Sequence, residues 1–421
     1  MINKTILPNG VRVVMQTMPD FRSVSMGVWT RAGSVYETER EAGISHFIEH
    51  MLFKGTQKRT AQDIAAEMDA LGGNLNAFTS KECTCFYAKV LDEHIEKSAD
   101  ILADLVHAPK LDEEDIEREK GVVCEEILMT EDTPEDLVHE VIAAEVYGDT
   151  PLSKPILGTE ESVRALRADM LRAYMQRRYV SHNTVIAVAG NVKEEAVLPM
   201  LTSLFGQGDA QTAPPMPKSA LHRGRALKAV EKDIEQVHIC LGLPGFASDT
   251  PEQYALHVLN NVLGGSMSSR LFQSIREQRG LAYSVYSYPS AYDNSGYFTL
   301  YAGTGGKQAA QVVELMLAEL TRLKKEGISK EELTRAKEQL KASYIMGQES
   351  TSARANAIGK AEIRGGELRT EEASIALIEE VNMERIQDIL PIVCDLEELH
   401  GAFVGRMTKK EREIERMILN A

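Results

Sequence analysis

A proline-rich segment near the middle of the chain separates two stretches that repeat the same order of strands and helices. The segment GQGDAQTAPPMPKSALHRGRA, residues 206–226, carries three prolines and few large apolar side chains, as interdomain linkers do. On both sides of it, short runs typical of strands alternate with longer runs of helical periodicity. The sequence therefore predicts an α+β protein with domains at residues 1–210 and 226–421, joined by a linker at 211–225.

Two helical segments indicate that these domains arose by duplication. HFIEHML (46–52) aligns without gaps with HVLNNVL (257–263), and each follows a strand and precedes a glycine-containing turn. The alignment pairs three polar positions: His46 with His257, Glu49 with Asn260, and His50 with Asn261. We expect two duplicated domains, each a mainly antiparallel sheet with helices packed on one face, and a zinc site in the first domain only.

The stretch GISHFIEHMLFKGT, residues 43–56, has a spacing suited to metal chemistry. On an α-helix, His46 and His50 lie about one turn apart and face the same way, and imidazole suits Zn²⁺. Glu49 lies on a neighbouring part of that face, where a carboxylate can serve as a general base toward water. The alternative is an amphipathic helix whose two partly buried histidines would need other partners.

A catalytic zinc ion usually has three protein ligands, so the histidine pair is one ligand short. The acidic segment LDEEDIEREKGVVCEEILMTED (111–132) offers Glu119 and Glu126, which are seven residues apart and therefore share a helix face. Acidic helix faces are usually just solvated. On the pattern alone, Glu126 is one candidate ligand among several carboxylates.

HFIEHMLFKGT, together with the later VVCEEI, resembles the pitrilysin/insulinase family of zinc metallopeptidases, and in particular bacterial members similar to the β subunit of mitochondrial processing peptidase. Glu126 lies 76 residues after His50, as the third ligand does in that family. The resemblance implies that one Zn²⁺ per chain is held by His46, His50 and Glu126. It also implies that Glu49 is the general base and that Glu119 supports the site behind the ligands.

Further segments extend the resemblance over most of the chain. LGGNLNAFTSKECTCFYAKVL (71–91) resembles the family's edge strand, to which a peptide substrate adds as an extra strand. The residues implied to bind substrate there are Asn74, Asn76, Ala77 and Phe78. SSRLFQSIREQRGLAYSVYS (268–287) resembles a C-terminal motif that implies contact of Arg276 and Tyr283 with the substrate carbonyl. Cys83 departs from the pattern, since a polar residue such as Gln is expected there.

The function implied is that of a zinc-dependent endopeptidase, which hydrolyses extended or unfolded peptides inside a closing chamber. Larger family members hold four such domains in one chain, so this two-domain chain is expected to act as a homodimer in which Arg276 and Tyr283 of one subunit serve the zinc of the other. Two alternatives remain. One is a non-catalytic core or partner subunit of a peptidase-like complex, and the other is a zinc hydrolase acting on something other than peptides.

Charge narrows the choice of partners. The chain has 47 Lys and Arg against 63 Asp and Glu, a formal net charge of −16. This balance argues against nucleic acid and favours cationic peptides as ligands, although solubility is the simpler explanation. No apolar run approaches the roughly 20 residues of a membrane helix, so no membrane partner is expected.

The number of cysteines indicates the cellular compartment in which the protein folds. Five cysteines, an odd number spread over a long chain, predict a reducing and hence cytoplasmic location rather than a disulfide framework. The opening residues MINKTILPNGVRVVMQ predict a strand, a turn and a second strand rather than a signal peptide. Cys83 and Cys85 could form a thiolate metal pair on one strand face, but no second Cys or His pair lies nearby in sequence.

Overall fold

A computed structural model describes residues 2–406 and 411–419. The chain forms two compact units, and each contains sequence from both halves. The first unit runs to Ile127 and adds Lys154–Pro217 and Ile345–Thr370. The second comprises Leu128–Ser153, Lys218–Tyr344 and the described chain from Glu371 onward. This division differs from the contiguous domains expected from the sequence, because the segments 128–153 and 345–370 belong to the opposite unit.

The first unit contains a six-stranded, mainly antiparallel sheet in the order β1-β2-β6-β3-β5-β4. Only the pairing of β2 with β6 is parallel. The strands are β1 Ile2–Ile6, β2 Arg12–Thr17, β3 Ser23–Thr30, β4 Asn74–Thr79, β5 Thr84–Leu91 and β6 Thr184–Gly190. The strand β4 therefore lies at one edge of this sheet.

The second unit repeats this topology with one strand fewer, in the order β7-β11-β8-β10-β9. Its single parallel pair, β7 with β11, corresponds to β2 with β6, and the other pairs are antiparallel. The strands are β7 Ala226–Glu231, β8 Gln236–Pro244, β9 Ala282–Ala291, β10 Gly296–Gly305 and β11 His400–Gly405. The matching order confirms the prediction of two duplicated α+β domains.

The helices also follow one order in both halves of the sequence. In the first half they are α1 Ile44–Leu52, α2 Ala61–Ala70, α3 Ile95–His107, α4 Glu113–Asp132, α5 Pro134–Tyr147, α6 Glu160–Ala165, α7 Ala168–Arg178 and α8 Glu194–Phe205. In the second half they are α9 Pro251–Leu263, α10 Ala309–Glu326, α11 Lys330–Gly347, α12 Thr351–Arg364, α13 Glu371–Glu379, α14 Met383–Val393 and α15 Glu411–Leu419. Among the described residues, no helix is long and apolar enough to cross a membrane.

Most helices of the first unit pack on one face of its sheet, as predicted, but α12 covers the other face. Alternate side chains of β5 explain this arrangement, because Phe86 and Ala88 join the main core whereas Cys85 joins a smaller cluster with Ile358 of α12. Gly359 permits the close approach of α12, since a Cβ atom there would lie 2.3 Å from Trp29 Nε1. The strands of this sheet are thus apolar on both faces.

The second sheet has the equivalent cover. Its main core lies under α9, α10 and α14, and α5 packs against β7, β8 and β11 through buried residues that include Ile142 and Val146. A Cβ atom at Gly242 of β8 would lie 2.7 Å from Val146 Cγ2, so the glycine allows this contact. The helices α5 and α12 occupy corresponding places in the two halves of the sequence, and each covers the sheet of the other half.

Candidate metal centre

A buried carboxylate, that of Glu37, caps the N-terminus of helix α1. Glu37 is 3% exposed, and its two carboxylate oxygens accept the backbone N–H groups of Gly43 at 2.7 Å and Ser45 at 2.9 Å. These groups lack partners within the helix, so the carboxylate satisfies them and complements the positive end of the helix. Burial raises the pKa of Glu37 to about 7, although both backbone hydrogen bonds oppose the shift. Glu37 therefore fixes the position of the first turn of α1, which carries His46.

The two histidines of α1 converge on one carboxylate oxygen. His46 Nε2 lies 3.6 Å and His50 Nε2 lies 3.4 Å from Oε2 of Glu126 on α4. The two rings are 4.5 Å apart between centroids. One ligand atom from each of the three residues lies within 4.8 Å of the others, the spacing of donors around a single cation. The sequence-predicted ligand set thus comes together, although 76 residues separate His50 from Glu126.

Glu119, one further predicted site residue, lies behind His50. Its Oε1 is 2.9 Å from His50 Nδ1, and its Oε2 forms a 2.6 Å ion pair with Lys54 Nζ. When His50 Nδ1–H donates to this carboxylate, the lone pair of Nε2 is left for a cation. Burial disfavours the charge of Glu119, but the hydrogen bonds from His50 and Lys54 outweigh it and hold the pKa of Glu119 below its usual value.

The two imidazoles differ in charge preference. Burial, with the nearby His50, lowers the pKa of His46 to about 4, so His46 is neutral near pH 7. Burial also disfavours charge on His50, yet the hydrogen bond with Glu119 and the surrounding carboxylates raise its pKa. His46 Nδ1 is buried and has no hydrogen-bond partner within the described residues. Two imidazoles and a carboxylate on facing helices are a donor set that fits Zn²⁺.

Glu49 lies beside these donors and contacts the edge strand. Its Oε2 accepts a 2.5 Å hydrogen bond from Thr79 Oγ1, at the end of β4. Burial raises the pKa of Glu49 from its usual value, whereas the bond from Thr79 opposes that shift. A partly buried carboxylate with a raised pKa is suited to accept and return a proton.

The four residues expected to bind substrate all lie on β4. Asn74 and Asn76 are exposed, and Asn76 Oδ1 accepts the backbone N–H of Ala77 at 2.8 Å. Phe78 lies on the same face of the sheet as Asn74 and Asn76, away from the main core, and its ring meets Trp29 edge-on at 5.4 Å. Its side chain therefore contributes to packing under α12, and what β4 offers a ligand is its free backbone edge.

Arg276 and Tyr283 lie together in the second unit. Arg276 belongs to a π-helical turn, Phe272–Glu277, and Tyr283 lies in the edge strand β9. Arg276 Nη1 donates to the backbone O of Tyr283 at 2.8 Å, and its guanidinium lies 4.5 Å from the Tyr283 ring centroid. The Tyr283 side chain is 79% exposed. The pair is thus preformed and accessible within its own unit.

Two contacts of the centre were missed by sequence reasoning. Thr79 lies 30 residues from Glu49, and Glu37 lies outside the helix that it caps. A threonine at the inner end of a predicted edge strand was the only signal for the first. All five cysteines are unpaired and buried, and no group of metal-ligand spacing within the described residues includes Cys83 or Cys85. The thiolate alternative therefore has no support.

Comparison with known proteins places this geometry in a family. Residues 12–160 match the family model described as insulinase (peptidase family M16), and residues 165–340 match the model described as peptidase M16 inactive domain. The second match covers α9, where asparagines stand in place of Glu49 and His50. The label "inactive" thus applies to the part of the chain without this histidine pair.

Among curated relatives, the uncharacterized zinc protease YmxG of Bacillus subtilis (strain 168) is 45% identical over 92% of this chain and 95% of its own length. An uncharacterized zinc protease of Streptomyces coelicolor is 40% identical over 92% of this chain and 86% of its own length. Both names state a zinc protease without a characterised activity.

Two solved structures share the fold. A peptidase M16 inactive domain from Pseudomonas fluorescens superposes with a TM-score of 0.89, at 19% identity, over 97% of this chain and 98% of that one. A protease from Helicobacter pylori gives a TM-score of 0.90, at 22% identity, over 96% and 99%. With both family models matched and relatives of 45% and 40% identity spanning 92% of it, the chain belongs to peptidase family M16, the insulinase or pitrilysin family of metallopeptidases.

Proposed function

We propose that the protein is a zinc-dependent endopeptidase that hydrolyses extended or unfolded peptides. The observation that carries the proposal is the convergence of His46 Nε2 and His50 Nε2 on Glu126 Oε2, with Glu49 beside them. Membership of family M16 and the names of the relatives support the same activity.

In this proposal, His46, His50 and Glu126 hold one Zn²⁺, and Glu119 keeps the His50 ring in position through Nδ1. When bound, zinc supplies a Lewis acid that acidifies water and polarises a carbonyl. The partial burial of the two histidine side chains, 12% and 17% exposed, limits solvent access to the donors. A less solvated site strengthens each electrostatic interaction within it.

Glu49 is the general base of this scheme. Its carboxylate takes a proton from the attacking water and returns it to the leaving amine. Thr79 Oγ1 donates to Oε2 and so fixes the rotamer of Glu49, which leaves the other carboxylate oxygen for the proton. Because Thr79 ends β4, the same contact fixes the position of the base relative to the edge strand.

The substrate binds as an additional strand along β4, with Asn74, Asn76, Ala77 and Phe78 as the local contacts. Among the described residues this edge strand is hydrogen-bonded to β5 on one side, which leaves its other side for an extended peptide. Main-chain pairing accepts many sequences, which suits an enzyme for unfolded peptides. The net charge of −16 favours cationic peptides among them.

Arg276 and Tyr283 serve as hydrogen-bond donors to the substrate carbonyl, as the family resemblance implies. Two observations support this role: Arg276 is hydrogen-bonded to the backbone of Tyr283, and the Tyr283 side chain is exposed. We further propose that the protein acts as a homodimer whose subunits close a chamber around the peptide, with the pair of one subunit serving the metal centre of the other.

The test compares wild-type protein with Glu49→Gln. We expect both to contain about one Zn²⁺ per chain, and only the wild type to cleave a random peptide pool monitored by mass spectrometry. Equal cleavage by the two proteins would refute the assignment. A metal-loaded wild type that cleaves no peptide would favour the non-catalytic subunit instead.

The dimer proposal has its own test. Mixing Glu49→Gln subunits with Arg276→Ala subunits should restore part of the activity that each variant lacks alone. If mixed dimers form, as a tagged pull-down would show, and remain inactive, then action between subunits is wrong.

A further inference from the structure

A second group of metal-ligand side chains lies in the second unit, remote in sequence from the α1 motif. It consists of Glu145 on α5, His222 in the segment that precedes β7, and His400 at the start of β11. One ligand atom of each lies within 4.8 Å of the others. This is the same donor set, two imidazoles and one carboxylate, as that of His46, His50 and Glu126.

The three segments that carry these side chains are joined by hydrogen bonds to backbone groups. The backbone N–H of His222 donates to the carbonyl of Val146, the residue after Glu145, at 2.8 Å. His400 Nε2 lies 3.2 Å from the backbone carbonyl of His222. The backbone positions of the three donors are therefore fixed relative to one another, which reduces the ordering that ion binding requires.

His400 carries the second, independent sign of a ligand. The residue is 2% exposed, and its Nδ1 is buried with no hydrogen-bond partner within the described chain. Because Nε2 must donate its proton to the His222 carbonyl, the neutral ring keeps its lone pair on Nδ1. A buried, unpaired acceptor is costly unless something binds it. In metal sites, a hydrogen bond from one ring nitrogen of a histidine likewise orients the other nitrogen toward the ion.

The imidazoles of His222 and His400 are 5.6 Å apart between centroids, with their planes inclined at 46°. His222 is exposed and Glu145 is half-buried, so an ion can enter from solvent while His400 lies behind it. Two imidazoles with one carboxylate suit a divalent transition-metal ion such as Zn²⁺ rather than Mg²⁺ or Ca²⁺, which prefer oxygen.

We propose that Glu145, His222 and His400 form a second, structural site for a divalent transition-metal ion. The ion links three parts of the second unit: the helix α5, the segment that leads into β7, and the strand β11. The helix α5 comes from the first half of the sequence but packs on the sheet of the second half. The ion would therefore add a link between this helix and that sheet. Binding stabilises the folded chain by mass action, because the three donors are separated by long stretches of chain in the unfolded state.

The experiment uses full-length protein in which His46→Ala and His50→Ala remove the donors of the first centre, so the result does not depend on peptidase activity. After loading with Zn²⁺ and dialysis, we expect about one Zn²⁺ per chain by elemental analysis. Adding His222→Ala should lower this to near zero, and Glu145→Gln should weaken binding about 10-fold or more. His222 is exposed, so its replacement leaves the core intact.

The matched control is His257→Ala, which removes another exposed histidine of the second unit and should leave the stoichiometry unchanged. Co²⁺ gives an independent readout, since its visible absorption reports imidazole ligation and should vanish with His222→Ala. Zn²⁺ should also raise the unfolding temperature of the background protein by a few degrees, and not that of the His222→Ala form. The proposal is overturned if the background protein binds no ion, binds without saturation, or retains its ion after His222→Ala.

Discussion

The helices α1 and α9 are two copies of one element, and they differ at two of their three aligned polar positions. In α1, Glu49 accepts a 2.5 Å hydrogen bond from Thr79 at the end of the edge strand β4. In α9, the aligned Asn260 accepts a 2.6 Å hydrogen bond from Ser287 in the edge strand β9. Both copies thus keep a polar contact between helix and edge strand, but only α1 places a carboxylate in it.

The two copies also differ in the side chains that neighbouring elements place against the helix. In α1, Glu126 and Glu119 of α4 meet His50 on both ring nitrogens. In α9, Asn261 replaces His50 and is buried, and no group of metal-ligand spacing within the described residues includes His257. The scaffold therefore does not create the centre by itself. The proposed metal site depends on the histidine pair and the glutamates of the neighbouring helix together, and only α1 has both.

The largest effect is expected from removing the base. Glu49→Gln keeps the hydrogen bond with Thr79 but cannot take a proton, so kcat should fall by about 10²–10⁴-fold. The bound metal should remain, because Glu49 is not among the donors that converge on one point. Peptide cleavage and elemental analysis measure the two quantities.

The control is Asn260→Asp, which places a carboxylate at the aligned position of α9. It should leave cleavage and metal content unchanged. If the effect of Glu49→Gln on kcat were as small as that of Asn260→Asp, the two copies would be equivalent and the comparison would fail.

Much of this contrast could be predicted from the sequence because it is local. The spacing of His46 and His50 within one turn, and the asparagines at the aligned positions, need no knowledge of tertiary structure. The observed helix α1, Ile44–Leu52, contains the predicted histidine pair. Glu126 was only one candidate on its acidic helix until the family resemblance selected it.

What the sequence did not predict depends on contacts between distant segments. Nothing in the periodicity of α5 or α12 shows which sheet each covers, because an amphipathic helix fits either one. Likewise, Glu145 and His400 are 255 residues apart, and neither belongs to a recognisable spacing. Both features depend on the order of the strands and on which sheet each helix covers, and these are seen only in the folded chain.

A smaller effect is expected when the support behind a ligand is removed. Glu119→Gln replaces the carboxylate that holds His50 Nδ1, so the affinity for Zn²⁺ should fall by about 10–100-fold. Competition with a chromophoric chelator measures it. Glu117→Gln is the control, because this residue lies on the same helix and pairs with Lys120 instead. Equal affinities for the two variants would show that Glu119 does not position the ligand.

The starts of the two helices allow a test by pH. The carboxylate of Glu37 caps α1, whereas α9 begins at Pro251 without a side-chain cap. Burial raises the pKa of Glu37 to about 7 in the folded chain, against 4.5 for the solvent-exposed side chain of the unfolded state. Between these values the folded chain keeps a proton that the unfolded chain has lost, so this group's contribution to stability falls as the pH rises.

Glu37→Gln abolishes this dependence. In metal-free protein, the difference in unfolding temperature between wild type and variant should therefore change by a few degrees between pH 4.5 and 7.5, to the disadvantage of the wild type at higher pH. Glu39→Gln, at an exposed neighbouring position, should show no such trend. A temperature difference that stays constant over this range would mean that Glu37 titrates normally.

The smallest effect separates the structural role of the shared contact from its chemical role. Thr79→Val and Ser287→Ala each remove the hydrogen bond between a helix and its edge strand, and each should lower the free energy of unfolding by about 1 kcal/mol. Only Thr79→Val should lower kcat/KM, by about three- to tenfold, because it frees the rotamer of the base. Denaturant unfolding and peptide cleavage measure the two effects. If both variants lost activity equally, the contact in α9 would also serve catalysis, and the second copy would be more than a scaffold.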